Sequence, residues 1–471
     1  MRRTFFFSLL LLDSLCEALN NGRGLLPEMG ANTWYMLHSH LTNYQWTPPS
    51  YCASCDALDI SRFMVDSGLH ALGYNMLNFD DCIVVGRDKA TSELIPDPLA
   101  FPAGPLAVSQ NLSALGFSMG WYTVRGNFTC ASGPPPRLER PGSAGFEALD
   151  AATYKKWGVS YLKEDTCGPP ETPYTVMRDA LNATGAHTFL SMCEPGQGPE
   201  TAPFGRQWGN AWRIDEDDGG LWRPIMDNVN MVAPLFPFSG CNEQHGNDGF
   251  GCGWNDMGLL MVGGGMTADQ DASHMALWAI TATKLLISVD PRKFSPHAMA
   301  LVANPEVIDI DQDALKLQGQ RVIPPTNATR SQEDYLRIRA WKAAHLAGGS
   351  YRAAGRGGEL LASHNADAGA VPGTEQDELL AAGGRGEVWQ RRLVGGQWAL
   401  LFFNNGIPGA APSAIACTGE CWARMGWGSA TVAVRDVLAR TDNGTTSGGF
   451  TALVRTNATV LLRLSSAAGI M

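Results

Sequence analysis

Beyond its first dozen residues, the chain has no stretch approaching the ~18 consecutive apolar residues of a membrane-spanning helix, so no helical membrane span is expected. Positive charge is also short: 35 Lys and Arg stand against 46 Asp and Glu, a net charge of −11. That balance repels phosphate backbones and sets nucleic acid aside as the main partner, whereas a neutral partner such as a sugar is compatible with it. No solenoid-type repeat is present. Gly263-Gly264-Gly265 lacks the following Lys-Ser/Thr of a phosphate-binding loop and reads as a tight loop before a helix. Asp269 and Asp271 alone fall far short of a calcium ligand set. Charged residues are only 17% of the chain and hydrophobic ones 45%, which excludes a disordered chain.

What is present at the start is a basic pair, Arg2 and Arg3, then the short apolar run Phe5 to Leu12, then smaller and polar residues through Ala18. That order reads as a signal peptide over residues 1–18, giving a protein of the secretory pathway, extracellular or in a lysosome or vacuole. Six glycosylation sequons, at Asn111, Asn127, Asn182, Asn327, Asn443 and Asn457, agree with that route. Of 11 cysteines, Cys16 lies in the presumed signal, and the others can pair in an oxidising compartment. Spacing suggests Cys417 with Cys421 and Cys241 with Cys252. Cys52 and Cys55, with His38 and His40 upstream, have the outline of a zinc site, but disulfide pairing to Cys82 is the preferred expectation.

The 471 residues suit a large barrel plus a small partner domain. Eight short β-rich runs recur: 29–34, 76–81, 118–122, 161–165, 189–194, 212–217, 254–262 and 285–290. Helical periodicity fills most gaps between them, as in 58–72 and 271–277. Strands alternating with helices imply a parallel sheet, and eight such units close most economically into a (β/α)8 TIM barrel over 19–322. Residues 323–386, rich in Gly and Ala, read as an insertion or linker holding a short helix near 333–346. Residues 387–471 alternate with period two and read as a small antiparallel all-β domain, a β-sandwich.

Several runs end in acids or a tyrosine: Asp80 and Asp81, Tyr122, Asp165, Glu194, Asp217. The C-terminal strand ends form the active face of such a barrel, so these groups should converge. Lys163 and Asp165 are two apart on one strand and share its inner face, where an ammonium favours an ionised carboxylate suited to nucleophilic attack. Asp215, Glu216, Asp217 and Asp218 end the sixth run. Glycoside hydrolysis needs two carboxylates, one ionised and one protonated. Asp165 with one acid from 215–218 supplies that pair, and composition does not choose among the four. The chemistry asks for no metal and no organic cofactor.

The order of motifs resembles glycoside hydrolase family 27, the α-galactosidases and α-N-acetylgalactosaminidases. Leu162 to Cys167 is similar to the family's Leu-Lys-Tyr/Phe-Asp-x-Cys, and Phe79 to Cys82 to its Ile-Asp-Asp-Cys. Trp212, Arg213, Asp217 and Trp222 match a Trp-Arg motif, followed in order by 254–256, 275–280 and 312–313. The resemblance implies a retaining hydrolase of terminal α-galactosides, with Asp165 as nucleophile and Asp217, rather than Asp215, as acid and base. It further implies that Asp80, Asp81, Tyr122, Lys163, Glu194 and Arg213 surround the sugar, and that Cys130 pairs with Cys167. The sequence also departs from the family. Ala31 stands where an aromatic wall is usual, with Trp34 a candidate replacement. Val124 and Gly258 each replace a carboxylate, Lys284 a proline, Pro195 a tryptophan, and Gly209 the usual partner of Cys193. These changes leave open related sugars, N-acetylgalactosaminides or β-L-arabinopyranosides, and a non-catalytic sugar-binding relative.

Overall fold

The computed structural model describes residues 21–38, 52–133, 139–168, 171–194, 198–241, 250–325, 386–406 and 409–467. The expected signal peptide, the 333–346 helix, Asn327 and Pro195 lie outside the described residues.

Eight parallel strands form one sheet: β1 (Met29–Asn32), β2 (Met76–Asn78), β3 (Ser118–Val124), β4 (Val159–Asp165), β5 (Phe189–Cys193), β6 (Ala211–Arg213), β7 (Trp254–Asp256) and β8 (Leu285–Ile287). Their order is β8-β1-β2-β3-β4-β5-β6-β7, so the first and last strands in sequence are neighbours. The seam between β7 and β8 closes through a parallel bridge from Leu260 to Ile287, with the Leu260 N–H donating to the Leu286 carbonyl at 2.8 Å. The sheet is therefore a closed barrel, as expected. Six strands stop short of their sequence runs at the C-terminal end, where the polar residues leave the ladder, whereas β3 and β4 are each two residues longer than their runs.

Helices α1 (Ala53–Asp66), α2 (Pro105–Ala114), α3 (Glu147–Trp157), α4 (Tyr174–Thr184), α5 (Trp222–Val232), α6 (Ala268–Thr281) and α7 (Pro305–Asp311) cover the barrel. Local chemistry sets their ends. Thr267 and Gln270 form a reciprocal capping box at the start of α6, and Asp269 and Asp271 place negative charge in its first turn. Inside the barrel Met76, Tyr161, Phe189, Ala211 and Leu286 form a small separate core. The strands approach so closely that a Cβ at Gly30 would lie 2.0 Å from the Met76 carbonyl oxygen, so β1 and β2 need glycine there.

The second unit is antiparallel. Strands β9 (Gln320–Ile323), β10 (Glu387–Arg392), β11 (Trp398–Phe403), β12 (Ser413–Thr418), β13 (Val432–Asp436), β14 (Thr441–Thr446), β15 (Gly449–Val454) and β16 (Thr459–Ser466) make two sheets. One is six-stranded, β9-β10-β11-β16-β13-β14, and the other is the pair β12-β15. The chain thus enters this unit at Gln320, ahead of the 387 start read from the sequence. Period two explains how one sheet serves two cores. Trp389, Leu401, Phe403 and Leu461 join the core of the barrel, while Val388, Leu400, Phe402 and Leu462 face the sandwich interior.

Arg391 of β10 is buried at this junction and donates to the carbonyls of Ala279 at 2.8 Å and Asp311 at 3.1 Å. Burial pushes the Asp311 carboxyl up to about 8, against the pull of Arg391 and Gln312. The unfolded carboxyl titrates near ~4. Between those values the folded state holds a proton that the unfolded state lacks, so this group lowers stability as pH rises. Asp311→Asn is expected to stabilise the protein by an amount that grows from pH 4 to 8, at roughly 1.4 kcal/mol per unit at most. Thermal melts of both proteins across that range check it; a pH-independent difference would show the origin to be wrong.

Candidate active site

Because side chains alternate along a strand, Tyr161, Lys163 and Asp165 of β4 point into the barrel, while Leu162 and Glu164 point to the helices. Lys163 reaches Asp80, just past β2, at 3.0 and 3.2 Å, and lies 3.7 Å from Asp165. The two residues share a face as the sequence implies, but the ammonium sits closer to Asp80. Asn32, at the end of β1, also donates to Asp80 at 2.8 Å. Burial opposes the charge on Asp80, yet Lys163 and Asn32 hold its carboxyl below the usual range.

Asp165 is buried and accepts hydrogen bonds from the Tyr122 hydroxyl at 3.1 Å and the Thr166 N–H at 3.0 Å. Burial raises its carboxyl; Lys163 opposes this, and the charges of Asp217 and Asp80 add to the rise. Asp217, after β6, is different. Its side chain is 45% exposed, and it is gripped by Arg213 Nη1 at 2.5 Å. Asp215 is buried, 3% exposed, so Asp217 is the open carboxylate of the two. Asp165 and Asp217 therefore occupy one electrostatic field from separate strands, one enclosed and one facing solvent.

Asp81 joins the cluster in another way. Its oxygens accept the N–H groups of Cys82 at 2.5 Å and Ala131 at 2.8 Å, fastening the segment that carries Cys130. Cys130 is bonded to Cys167, two residues past Asp165. Glu194 lies at the edge, paired with Arg125 at 3.1 Å. Arg125 also meets Glu171 at 3.1 Å and Thr166 Oγ1 at 2.9 Å, bracing the loop behind Asp165.

One cysteine expectation is corrected. Cys52 and Cys55 pair with each other, and Cys82 is buried and free. Residues three apart on the first turn of a helix share a face, so the two sulfurs meet locally at a Cα separation of 5.2 Å. Cys193 is also free and buried, while Cys241–Cys252 and Cys417–Cys421 are bonded as spacing suggested.

Sequence reasoning missed the polar packing under the site. Asp256, ending β7, contacts Lys284 at 2.8 Å and Arg213 Nε at 3.4 Å. A lysine abutting the apolar run Leu285-Leu286-Ile287 was the available signal, since a buried lysine demands a partner. At Gly258 the space of a side chain is taken: a Cβ there would lie 2.8 Å from Asp218 Oδ2, and φ is +115°. Burial raises Asp218 to about 7. Trp34 is half-buried against the barrel interior.

Residues 26–313 match the family model described as alpha galactosidase A, and residues 383–464 match that of the alpha galactosidase C-terminal beta sandwich domain. The chain belongs to the alpha-galactosidase family. A probable alpha-galactosidase of Dictyostelium discoideum is 34% identical over 312 residues, 65% of this chain and 73% of that protein. The crystal structure of alpha-galactosidase I from Mortierella vinacea shares the fold at a TM-score of 0.70 and 23% identity, covering 95% of this chain and 99% of the other. A β-L-arabinopyranosidase from Geobacillus stearothermophilus also shares it, at 0.66 and 17%, covering 94% and 97%.

Tyr122→Phe removes one donor from Asp165. A hydrogen bond to a charged group is worth about 1.5–3 kcal/mol, so kcat/KM is expected to fall roughly 10- to 150-fold. The ionised form also loses support, so the acidic limb of the pH–rate profile should move to higher pH. An unshifted limb with full activity would remove Tyr122 from the site.

Proposed function

We propose that the protein is a retaining glycoside hydrolase that cleaves terminal α-D-galactosyl residues from oligosaccharides or glycoconjugates. The observation that carries this reading is the pair Asp165 and Asp217, delivered by β4 and β6 into one field with opposite exposures. In the first step a carboxylate oxygen of Asp165 attacks the anomeric carbon. The glycosidic C–O bond breaks, and the leaving oxygen takes the proton of Asp217. In the second, ionised Asp217 takes a proton from water, the water oxygen bonds to the anomeric carbon, and the ester to Asp165 breaks. Atoms and charge balance with water as the only co-reactant.

The remaining roles follow from chemistry. Lys163 and Asn32 keep Asp80 charged, so it accepts sugar hydroxyls without competing for the transferred proton. Asp81, Glu194 and Arg213 are assigned the remaining sugar contacts, Asp81 with its oxygens already accepting the Cys82 and Ala131 N–H groups. Ala31, Val124 and Gly258 alter the residues around the ring, which supports a second reading in which the sugar is an α-N-acetylgalactosaminide or a β-L-arabinopyranoside.

Asp165→Asn is expected to lower kcat at least ~10³-fold on every glycoside. Asp217→Asn should slow poor leaving groups by about 10²–10⁴ and good ones much less, because good leaving groups need little protonation. Assays on chromogenic α-galactoside, α-N-acetylgalactosaminide and β-L-arabinopyranoside rank the sugars. Sugar binding without turnover on any of them would leave only a binding protein.

Among the described residues no helix is long and apolar enough to cross a membrane, and four disulfides are formed. We propose entry into the secretory pathway and residence outside the cell or in a lytic compartment. Protein recovered from a eukaryotic host should lack roughly its first 18 residues by N-terminal sequencing; an intact Met1 in secreted material would contradict this.

A further inference from the structure

We propose that Lys284 is a positioning residue that, through Asp256, determines how firmly Arg213 holds Asp217. The inference rests on the reading of Asp217 as the acid and base.

Lys284 directly precedes β8 and is buried beneath the site. Its three N–H donors meet three acceptors: Tyr161 Oη at 2.9 Å, Ser191 Oγ at 2.7 Å and Asp256 Oδ2 at 2.8 Å. A serine, lysine and tyrosine in contact can form a nucleophilic apparatus, but that requires a neutral lysine and a reachable serine. Burial alone would favour the neutral amine here. Asp256 and, after it, Tyr161 override it and keep Lys284 protonated, and Ser191 is 1% exposed. The lysine therefore acts as a fixed charge.

That charge is placed to matter. Asp256 Oδ2 also faces Arg213 Nε, at the longer distance of 3.4 Å, and the other end of the same guanidinium holds Asp217. Burial opposes the charge on Asp256, yet Lys284 and Arg213 bring its carboxyl down to about 2, so it is anionic across the working range. Two carboxylates thus lie on opposite sides of one arginine. With Lys284 present, Asp256 has its own cation and the guanidinium is left to Asp217. Without it, Asp256 draws on Arg213 directly.

The other groups facing Asp217 and its arginine are Asp218 on the same segment, Lys163 and Asp165 from β4, Cys193 from β5 and Tyr35 from the short helix Thr33–His38 after β1. Asp256 is faced besides by Tyr161 and Asp218, and the Gly258 N–H donates to it at 3.0 Å. Replacing Lys284 also takes a donor from Tyr161 and Ser191 and a positive charge from near Glu28, whereas Asp256→Asn leaves those contacts in place, so the two variants together isolate the effect on Arg213.

The experiment is kcat/KM against pH on an aryl α-galactoside with a poor leaving group, for the full chain and four variants. In Lys284→Met the Asp217 anion loses support, so the alkaline limb is expected to rise by about one pH unit. Asp256→Asn alone should move the limb the opposite way, to lower pH. Lys284→Met/Asp256→Asn, with the buried charge balanced again, should return it close to wild type. If Lys284→Met does not fold, the downward shift in Asp256→Asn carries the test. An unmoved limb in folded Lys284→Met, or in Asp256→Asn, overturns the proposal. Asp217→Asn separates the two readings: if it removes the alkaline limb while Lys284→Met leaves it in place, only the positioning role fails. If it keeps the limb, the assignment of Asp217 fails and the proposal with it.

Discussion

Burying anions in quantity at the mouth of a barrel is the constraint on which this structure turns. Asp80, Asp165 and Asp256 are each less than a tenth exposed and lie at the ends of separate strands, with Asp217 beside them. Isolated, each buried carboxylate would be neutralised by desolvation. Three buried cations counter that, fully at Asp80 and Asp256 and in part at Asp165: Lys163 between Asp80 and Asp165, Arg213 between Asp256 and Asp217, and Lys284 on Asp256. The alternation of anion and cation around the ring requires the strand register to be correct to one residue. A slip by one would turn Lys163 outward among the helices.

The architecture supplies rigidity from outside. The long helix α6 is buried along most of its length because barrel strands lie on one side and β10, β11 and β16 on the other. The C-terminal unit therefore contributes to the site indirectly, by fixing the helix that leads into Lys284 and β8. Arg391, which ties β10 to the end of α6 and to α7, is the polar rivet in an otherwise apolar junction.

Much of this was legible in the sequence, for identifiable reasons. All eight barrel strands were found because fully buried parallel strands are short apolar runs ending in polar residues. The C-terminal sheets were found because each strand faces two different cores and alternates. Asp165, Lys163, Asp80, Tyr122, Arg213 and Asp217 were nameable because they sit in ordered motifs at strand ends. What escaped was contact between residues distant in sequence. Nothing local announces that Arg125 braces the loop behind Asp165, that Lys284 reaches Tyr161 and Ser191, or that Gln320–Ile323 pairs with β10. Cys82 was misassigned for the same reason: proximity in sequence does not report which way a thiol faces, and Cys52 had a nearer partner on its own helical turn.

The relation between Gly258 and Asp218 has a consequence for substitution. A Cβ at 258 would lie 2.8 Å from Asp218 Oδ2 on backbone held at φ +115°, so a larger residue there must turn the Asp218 carboxyl aside and strain its own backbone. Substitutions at this corner of the barrel are conditional on one another, and neither can be judged tolerable or harmful without knowing the state of its counterpart.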